Sequence, residues 1–251
     1  MNLELENKIV VITGATGGIG SQIAKDFIDA KSVVVCLIRN ENKFIELRKS
    51  MEAENLNGSN LHFVSCNLSD YSEIKNSVAQ ITEKFSRIDI LVHCAGYTEE
   101  QPFALFSDKQ ISDLIDINLK SPVLLTHAVL KTMFKQNSGS IIFISSASTI
   151  KKGRGIVAYA SAKAGLETFT RALAQEVGRK KIRVNCIRPG VIETGMSSAV
   201  IYRNSDKIID FTSLGRTGKP NEISNAVLFI ASEKAASYLT GECITIDGGM
   251  Y

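Results

Sequence analysis

Short apolar runs alternate with helical patterns along the whole chain, and this alternation constrains the fold more than any other feature. The runs have the length and hydrophobicity of strands that are buried on both faces. They lie at 8–13, 33–38, 61–65, 88–92, 141–144 (opened by Gly139), 182–187 and 243–246. Between them, apolar residues recur at helical spacing, without an internal repeat or a linker. The predicted fold class is therefore α/β: one doubly wound, Rossmann-like domain over 1–251, with about seven parallel strands and helices on both faces.

Three of the helical patterns are long. Apolar spacing predicts helices over 111–134, 158–177 and 220–231. Asn118 lies inside the first, where it is either exposed or caps an internal break, and Pro122 is a candidate kink. The polar segment 193–217 is typical of a mobile lid near a site, although a plain surface excursion would look similar.

Composition and charge exclude several classes of function. The chain has 251 residues, 44% of them hydrophobic, which is enough for a sizeable core. Its net charge of +3, without a long basic run, gives no indication of nucleic-acid binding. No stretch of about 18 apolar residues predicts a membrane span, and the N-terminus is not a secretory signal.

The five cysteines predict neither a metal site nor a disulfide framework. They are far apart and form no C-x-x-C or His/Cys cluster, so we expect no bound metal. An odd number of cysteines without a signal peptide favours reduced thiols and a cytoplasmic location.

A glycine-rich turn follows the first predicted strand and opens a helix. It reads Thr13-Gly-Ala-Thr-Gly-Gly-Ile-Gly20. In such a turn, backbone N–H groups can approach an anion at the helix N-terminus. The spacing differs from G-x-G-x-x-G, but the strand–turn–helix context favours a dinucleotide site over a turn needed only for close packing.

The end of the second predicted strand bears on which dinucleotide binds. In nucleotide-binding units of this kind, an acidic residue near that end suits a ribose 2′-hydroxyl, whereas an arginine suits a 2′-phosphate. Here Arg39 occupies the end, and no carboxylate comes before Glu41. This favours NADP over NAD, although Arg39 could also be an ordinary solvated arginine.

Polar and small residues follow several of the predicted strands. Since ligands of doubly wound sheets bind beyond the carboxyl ends of the strands, we expect these residues to surround one site. They are the turn 14–20, Arg39, Asn67, Ala95, Ser146 and Pro189.

Tyr159 and Lys163 indicate a chemistry for that site. Residues four apart lie on one face of a helix, so the phenol and the ammonium can share a pocket. A nearby cation is expected to lower the pKa of a phenol and fit it for proton transfer to a substrate oxygen. Ser146, after a buried strand, can hold a carbonyl oxygen beside the phenol. The pair alone is a weak motif, because an exposed tyrosine and lysine on a helix are common.

Together these motifs resemble the short-chain dehydrogenase/reductase family over almost the whole chain. The glycine-rich turn is similar to the family's cofactor turn, Ala95-Gly96 to the end of its Asn-Asn-Ala-Gly motif, and Pro189-Gly190 to its Pro-Gly turn. Four residues match its catalytic tetrad in order and spacing: Asn118, Ser146, Tyr159 and Lys163. Several stretches from 188 to the C-terminus are similar to the family's 3-oxoacyl-[acyl-carrier-protein] reductases.

The resemblance implies reduction of a 3-oxoacyl thioester with NADPH. In this expectation Tyr159 protonates the ketone oxygen and Ser146 positions the carbonyl, while Lys163 binds the nicotinamide ribose and Asn118 holds a water that resupplies the proton. The implied partners are an acyl-carrier protein and further copies of the chain in a homotetramer. The implied cofactor contacts, besides Tyr159 and Lys163, are Gly14, Thr16, Gly17, Gly18, Ile19, Gly20, Arg39, Asn67, Leu68, Cys94, Ala95, Gly96, Pro189, Ile192 and Thr194.

The chain departs from the family pattern at three places. His93 and Cys94 replace two asparagines, so the bonds that brace the fourth strand are lost or remade. His93 is expected to pack or to form a hydrogen bond at the strand end rather than to catalyse. Gly17 replaces a common arginine, which leaves Arg39 alone for a 2′-phosphate. Asn67 replaces an aspartate that faces the adenine.

Two other functions remain open at this point. One is an alcohol, steroid-like or specialised ketone dehydrogenase with the same tetrad, because the lid that selects the substrate cannot be interpreted from sequence. The other is a nucleotide-binding scaffold without catalysis, against which the intact tetrad argues.

Overall fold

The predicted single Rossmann-like domain with one parallel sheet is confirmed. The computed structural model describes residues 2–151, 153–198, 201–202 and 208–250. Within these residues the strands are β1 (Ile9–Thr13), β2 (Val33–Ile38), β3 (Leu61–Ser65), β4 (Ile90–His93), β5 (Gly139–Ile144), β6 (Ile182–Pro189) and β7 (Cys243–Ile246). Their order in the sheet is β3-β2-β1-β4-β5-β6-β7, and every neighbouring pair is parallel. The chain thus winds outward in one direction from β1 and in the other from β4.

Helices cover both faces of the sheet because successive strand residues point to opposite sides. The α-helices that lie wholly within the described residues are α1 (Gly18–Asp29), α2 (Glu41–Ala53), α3 (Tyr71–Phe85), α4 (Asp108–Ile115), α5 (Ser121–Gln136), α6 (Val157–Val177), α7 (Pro220–Ala231) and α8 (Glu233–Ala236). Val10 and Ile12 pack with α1, α2 and α7, whereas Val11 packs with α3, α5 and α6.

Three strands differ from the predicted bounds. The first begins at Ile9 instead of at residue 8. The fourth begins at Ile90 and extends through His93, which pairs with Thr13 of β1, instead of covering 88–92. The sixth extends beyond Ile187 to Pro189, because β7 continues to pair with it after β5 has ended. Proline is tolerated there since one side of β6 no longer has a neighbour that needs its N–H.

The helix predicted over 111–134 begins earlier and contains a wide turn. Ser107 and Gln110 form a capping box that starts α4 at Asp108. A π-helical turn, Asp116–Lys120, then joins α4 to α5. Asn118 lies in this turn with its side chain fully buried. The backbone irregularity is therefore centred on Asn118, ahead of the candidate kink at Pro122.

The predicted lid, 193–217, is described in part. Residues 199, 200 and 203–207 lie outside the described residues. The two ends of the segment are joined at its base: the Glu193 N–H donates to Gly218 O, and the Gly218 N–H donates to Val191 O, both at 2.9 Å. The Thr217 hydroxyl also donates to the Glu193 carboxylate at 2.6 Å. In the part of the chain that the structure describes, no helix is long and apolar enough to cross a membrane.

Candidate active site

The glycine-rich turn lies where the winding of the sheet reverses, between the carboxyl ends of β1 and β4. Gly14 has φ of +68°, and a Cβ on it would lie 2.7 Å from the Ala95 backbone. A Cβ on Gly20 would collide with Gly14 O. These two positions therefore require glycine, and they bring the N-terminus of α1 close to the chain after β4. Such a crevice is where doubly wound sheets bind nucleotides.

The start of α1 offers backbone donors and no competing charge. Gly17 precedes the helix without a side-chain cap, and the first turn carries no acidic residue. Gly17 and Gly18 are exposed, and Thr16 and Ile19 are half-buried beside them. The N–H groups of a helix start suit a phosphate. This cradle fits the pyrophosphate of a dinucleotide.

Thr13 braces the strand end where the sequence lacks the family's asparagines. Its hydroxyl accepts from the Cys94 and Ala95 N–H groups, each at 3.2 Å. His93 is buried, lies 2.9 Å from the Thr126 hydroxyl and stacks on Phe143 at 4.7 Å between ring centroids. Burial lowers the pKa of His93 to about 3. The bracing bonds are thus remade, and His93 packs as expected.

Four other predicted cofactor residues border the same edge of the sheet. Arg39 is exposed at the end of β2. After β3, Asn67 forms a local turn in which its side-chain oxygen accepts from the Ser69 N–H at 3.2 Å, and Leu68 packs into the core. Pro189 ends β6.

Two further predicted contacts follow β6. Ile192 is buried and bridges to Gly218. Thr194 lies over the glycine-rich turn, since a Cβ on Gly18 would be 2.5 Å from its methyl group. The chain after β6 therefore faces the start of α1 across the crevice.

Ser146 and Tyr159 meet at the carboxyl end of β5. Ser146 directly precedes the short turn Ala147–Thr149, and its hydroxyl oxygen accepts from the Ser148 N–H at 3.1 Å. Tyr159 lies in the first turn of α6, with its phenol beside the Ser146 hydroxyl. Burial raises the pKa of Tyr159, the neighbouring Ser146 hydroxyl lowers it, and the nearby Cys94 raises it, with a net increase. The predicted lowering of this pKa by Lys163 is therefore wrong for the structure.

The position of the Lys163 ammonium accounts for that difference. Nζ lies 5.7 Å from the Tyr159 ring centroid and donates to Ile144 O at 2.8 Å. The two side chains share one face of α6 as predicted, but the ammonium is directed to the end of β5. Burial also lowers the pKa of Lys163 to about 8, while Cys94 and Cys186 act to raise it.

Asn118 has one open hydrogen-bonding atom beside this lysine. Its Nδ2 donates to Tyr97 O at 2.9 Å and to Leu114 O at 3.0 Å. Its buried Oδ1 has no hydrogen-bond partner among the described residues. A Cβ on Gly96 would lie 2.6 Å from this oxygen and 3.3 Å from Lys163 Nζ. Position 96 therefore favours glycine, because Asn118 Oδ1 and the Lys163 ammonium approach its backbone closely.

The sequence interpretation missed a buried ion pair behind this site. Glu167 of α6 receives two bonds from Arg188 of β6, at 2.7 and 2.6 Å. A signal was present, because Glu167 comes four residues after Lys163 and so continues the face of Tyr159 and Lys163. Its partner, Arg188, lies directly before Pro189. In the described residues, no group of three or more histidine, cysteine or acidic side chains is arranged to hold a metal.

The comparisons with known proteins agree with this geometry. The model of the short chain dehydrogenase family matches residues 8–204. The chain is 37% identical to the 3-oxoacyl-[acyl-carrier-protein] reductase FabG of Chlamydia muridarum over 252 aligned residues, covering 100% of both chains. The crystal structure of gox2181 is similar with a TM-score of 0.93 and 30% identity, covering 99% of this chain and 97% of the other. A structure of a substituted actinorhodin polyketide ketoreductase with NADPH is similar with a TM-score of 0.90 and 27% identity, covering 98% of both chains.

Proposed function

The chain belongs to the short-chain dehydrogenase family, and from that premise we propose that it reduces the ketone of 3-oxoacyl thioesters on an acyl-carrier protein, with NADPH as cofactor. Family membership supports an oxidoreductase that uses a nicotinamide cofactor. The 3-oxoacyl reductase and the polyketide ketoreductase among its relatives both reduce ketones, as their names state. The observation that carries the proposal is the meeting of Ser146, Tyr159 and Lys163 at the end of β5.

In this proposal the ketone oxygen binds between the hydroxyls of Ser146 and Tyr159. A bound nicotinamide cofactor would supply the hydride that the carbonyl carbon receives. Ser146 donates a hydrogen bond that orients the carbonyl. Tyr159 donates the proton as negative charge develops on the oxygen. The raised pKa of Tyr159 suits this direction of reaction, because the phenol holds its proton until the substrate oxygen becomes the stronger base.

Lys163 and Asn118 would resupply Tyr159 with the proton that it has donated. The Lys163 ammonium lies 5.7 Å from the Tyr159 ring centroid, and by family resemblance it also binds the nicotinamide ribose. The unpartnered Asn118 Oδ1 can accept a hydrogen bond from a water. Such a water would link Lys163 to solvent and return a proton to Tyr159.

The cofactor assignment extends to all of the contacts predicted from the sequence. We assign the pyrophosphate to Gly14, Thr16, Gly17, Gly18, Ile19 and Gly20, the adenosine part to Arg39, Asn67 and Leu68, and the nicotinamide end to Cys94, Ala95, Gly96, Pro189, Ile192 and Thr194. The predicted lid 193–217 would select the substrate. A homotetramer is the proposed assembly, and the cytoplasm the proposed location.

The function is tested by a panel of substrates with both cofactors. We expect loss of NADPH absorbance with acetoacetyl and longer 3-oxoacyl thioesters on an acyl-carrier protein, and much slower loss with NADH. A panel of simple ketones and secondary alcohols is the control. Turnover of those compounds without turnover of thioesters would favour the other dehydrogenase function, and no turnover of either would favour a scaffold.

Arg39→Ala tests the cofactor preference. A charge-assisted bond to a phosphate contributes about 1.5–3 kcal/mol, so the KM for NADPH should rise about 10–100-fold while the KM for NADH stays unchanged. Arg179→Ala is the matched control, because Arg179 is an exposed arginine just before β6 and thus at the opposite end of the sheet. An equal change in both KM values would contradict a role in binding the 2′-phosphate.

A further inference from the structure

The buried carboxylate of Glu167 accepts hydrogen bonds from both sides of the turn that carries Ser146. Glu167 is 4% exposed. Its Oε1 accepts from the Ser145 hydroxyl at 2.9 Å and from the Thr149 hydroxyl at 2.7 Å. These two donors flank Ser146 in the chain. We call Glu167, Ser145 and Thr149 the clamp.

Thr149 is the donor that ties the clamp most directly to Ser146. Its single hydroxyl proton has two acceptors in reach, the Glu167 carboxylate and Ser146 O at 2.9 Å. The carboxylate is the stronger acceptor because a hydrogen bond to an ionised group is charge-assisted. The Thr149 N–H also donates to Ser146 O, at 3.2 Å. A fixed Thr149 side chain therefore fixes the backbone of Ser146.

Arg188 keeps the clamp carboxylate ionised and joins it to the neighbouring strands. Burial acts to raise the pKa of Glu167, but the bonds from Arg188, Thr149 and Ser145 outweigh it, so this pKa is lowered. The Arg188 guanidinium also donates to Cys243 O at 2.9 Å. The end of β6 and the start of β7 are thereby connected to the clamp.

The carboxylate of the clamp and the proton donor belong to one helix, α6. Tyr159, Lys163 and Glu167 follow one another at intervals of four residues on α6, so they lie along one face of the helix. A buried ion pair contributes little to stability compared with apolar packing. A satisfied network of this kind instead specifies one arrangement of the groups that it contacts.

We propose that Glu167 is a positioning residue, which through Ser145 and Thr149 sets the Ser146 hydroxyl against the Tyr159 hydroxyl. The inference rests on the proposed function, because the alignment of these hydroxyls matters only for a substrate carbonyl held between them. Glu167 itself touches neither hydroxyl. Its contribution is transmitted by the turn at 145–149.

Thr149→Val tests the clamp with little risk to the fold. Valine keeps the shape of threonine, and the Glu167–Arg188 pair stays intact, whereas truncation of Glu167 would leave Arg188 without its partner. We expect kcat to fall about tenfold, as for the loss of one bond to a charged group, with no change in the KM for NADPH. Thr149→Ser, which retains the hydroxyl, should retain the wild-type kcat.

The matched control is Thr170→Val on the same helix. Thr170 is buried, and its hydroxyl donates to Leu166 O at 2.8 Å within α6. Its removal should leave kcat unchanged. In the Ser146→Ala background, Thr149→Val should cause no further loss of kcat, because the clamp acts through the Ser146 hydroxyl. A further tenfold loss in that background would overturn the proposal.

Amide hydrogen exchange provides a readout that does not depend on turnover. In Thr149→Val the peptide that covers 145–151 should exchange faster than in the wild type and in Thr170→Val. If the wild-type protein reduces no thioester, the proposed function fails, and the exchange rates still decide whether the clamp holds the turn. Unchanged exchange at 145–151, or an unchanged kcat in an active enzyme, would overturn the inference.

Discussion

Replacing Tyr159 with phenylalanine is expected to reduce turnover by about 10²–10⁴-fold, the usual contribution of a general acid. The variant keeps the aromatic ring beside Lys163 and removes only the hydroxyl that faces Ser146. Since the ring remains, the binding of NADPH should change little. Steady-state kinetics with an acetoacetyl thioester measures the first quantity, and a fluorescence titration of NADPH measures the second.

Tyr71→Phe is the matched control for this substitution. The Tyr71 hydroxyl lies 3.4 Å from His127 Nδ1, where α3 and α5 meet on an outer face of the sheet. Its loss should leave turnover unchanged. Wild-type turnover in Tyr159→Phe would show that the phenol is not the proton donor.

Replacing Lys163 with methionine is the second substitution with a large expected effect. Methionine fills a similar buried volume but carries no charge, so the ammonium that donates to Ile144 O and the proposed route that returns a proton to Tyr159 would both be lost. We expect turnover to fall about 10²–10³-fold, within the usual contribution of a group that takes part in proton transfer. The KM for NADPH should rise as well, because Lys163 is assigned to the nicotinamide ribose.

The pH profile gives an independent measurement of Lys163. Its pKa is lowered to about 8 by burial, so the ammonium form is present below pH 8 and disappears as the pH rises through that value. Turnover of the wild type should therefore decline above about pH 8, and this decline should be absent from the residual activity of Lys163→Met. Lys49→Met, at an exposed position of α2, should keep both the turnover and the profile. A profile that is the same in wild type and Lys163→Met would assign the titration to another group.

Most of the fold could be predicted because each buried strand corresponds to a continuous run of apolar residues in the sequence. The bounds of β2, β3 and β7 agree with prediction, since turn-forming or polar residues flank those runs. The end of β6 could not be predicted from its own residues. Pro189 can belong to β6 because β5 ends earlier and leaves that side of β6 unpaired. The length of β6 therefore depends on the neighbouring strand.

The candidate site could be predicted where its geometry is local and not where it depends on packing. Tyr159 and Lys163 share a helix face because of their spacing alone. The raised pKa of Tyr159 depends on its burial, and the direction of the Lys163 ammonium depends on Ile144 O. The Glu167–Arg188 pair joins residues 21 apart, on a helix and a strand, and only the packing of α6 on β6 brings them together.

The π-helical turn at Asp116–Lys120 also changes the side of the helical segment on which apolar residues can be buried. A turn that holds one extra residue shifts the phase of everything after it by about 100° relative to a regular α-helix. The segment before the turn packs on α6, and the segment after it packs against α3. One continuous helical segment can therefore pack against two helices that lie on different sides of it. Asn118 is buried at the point where the phase changes.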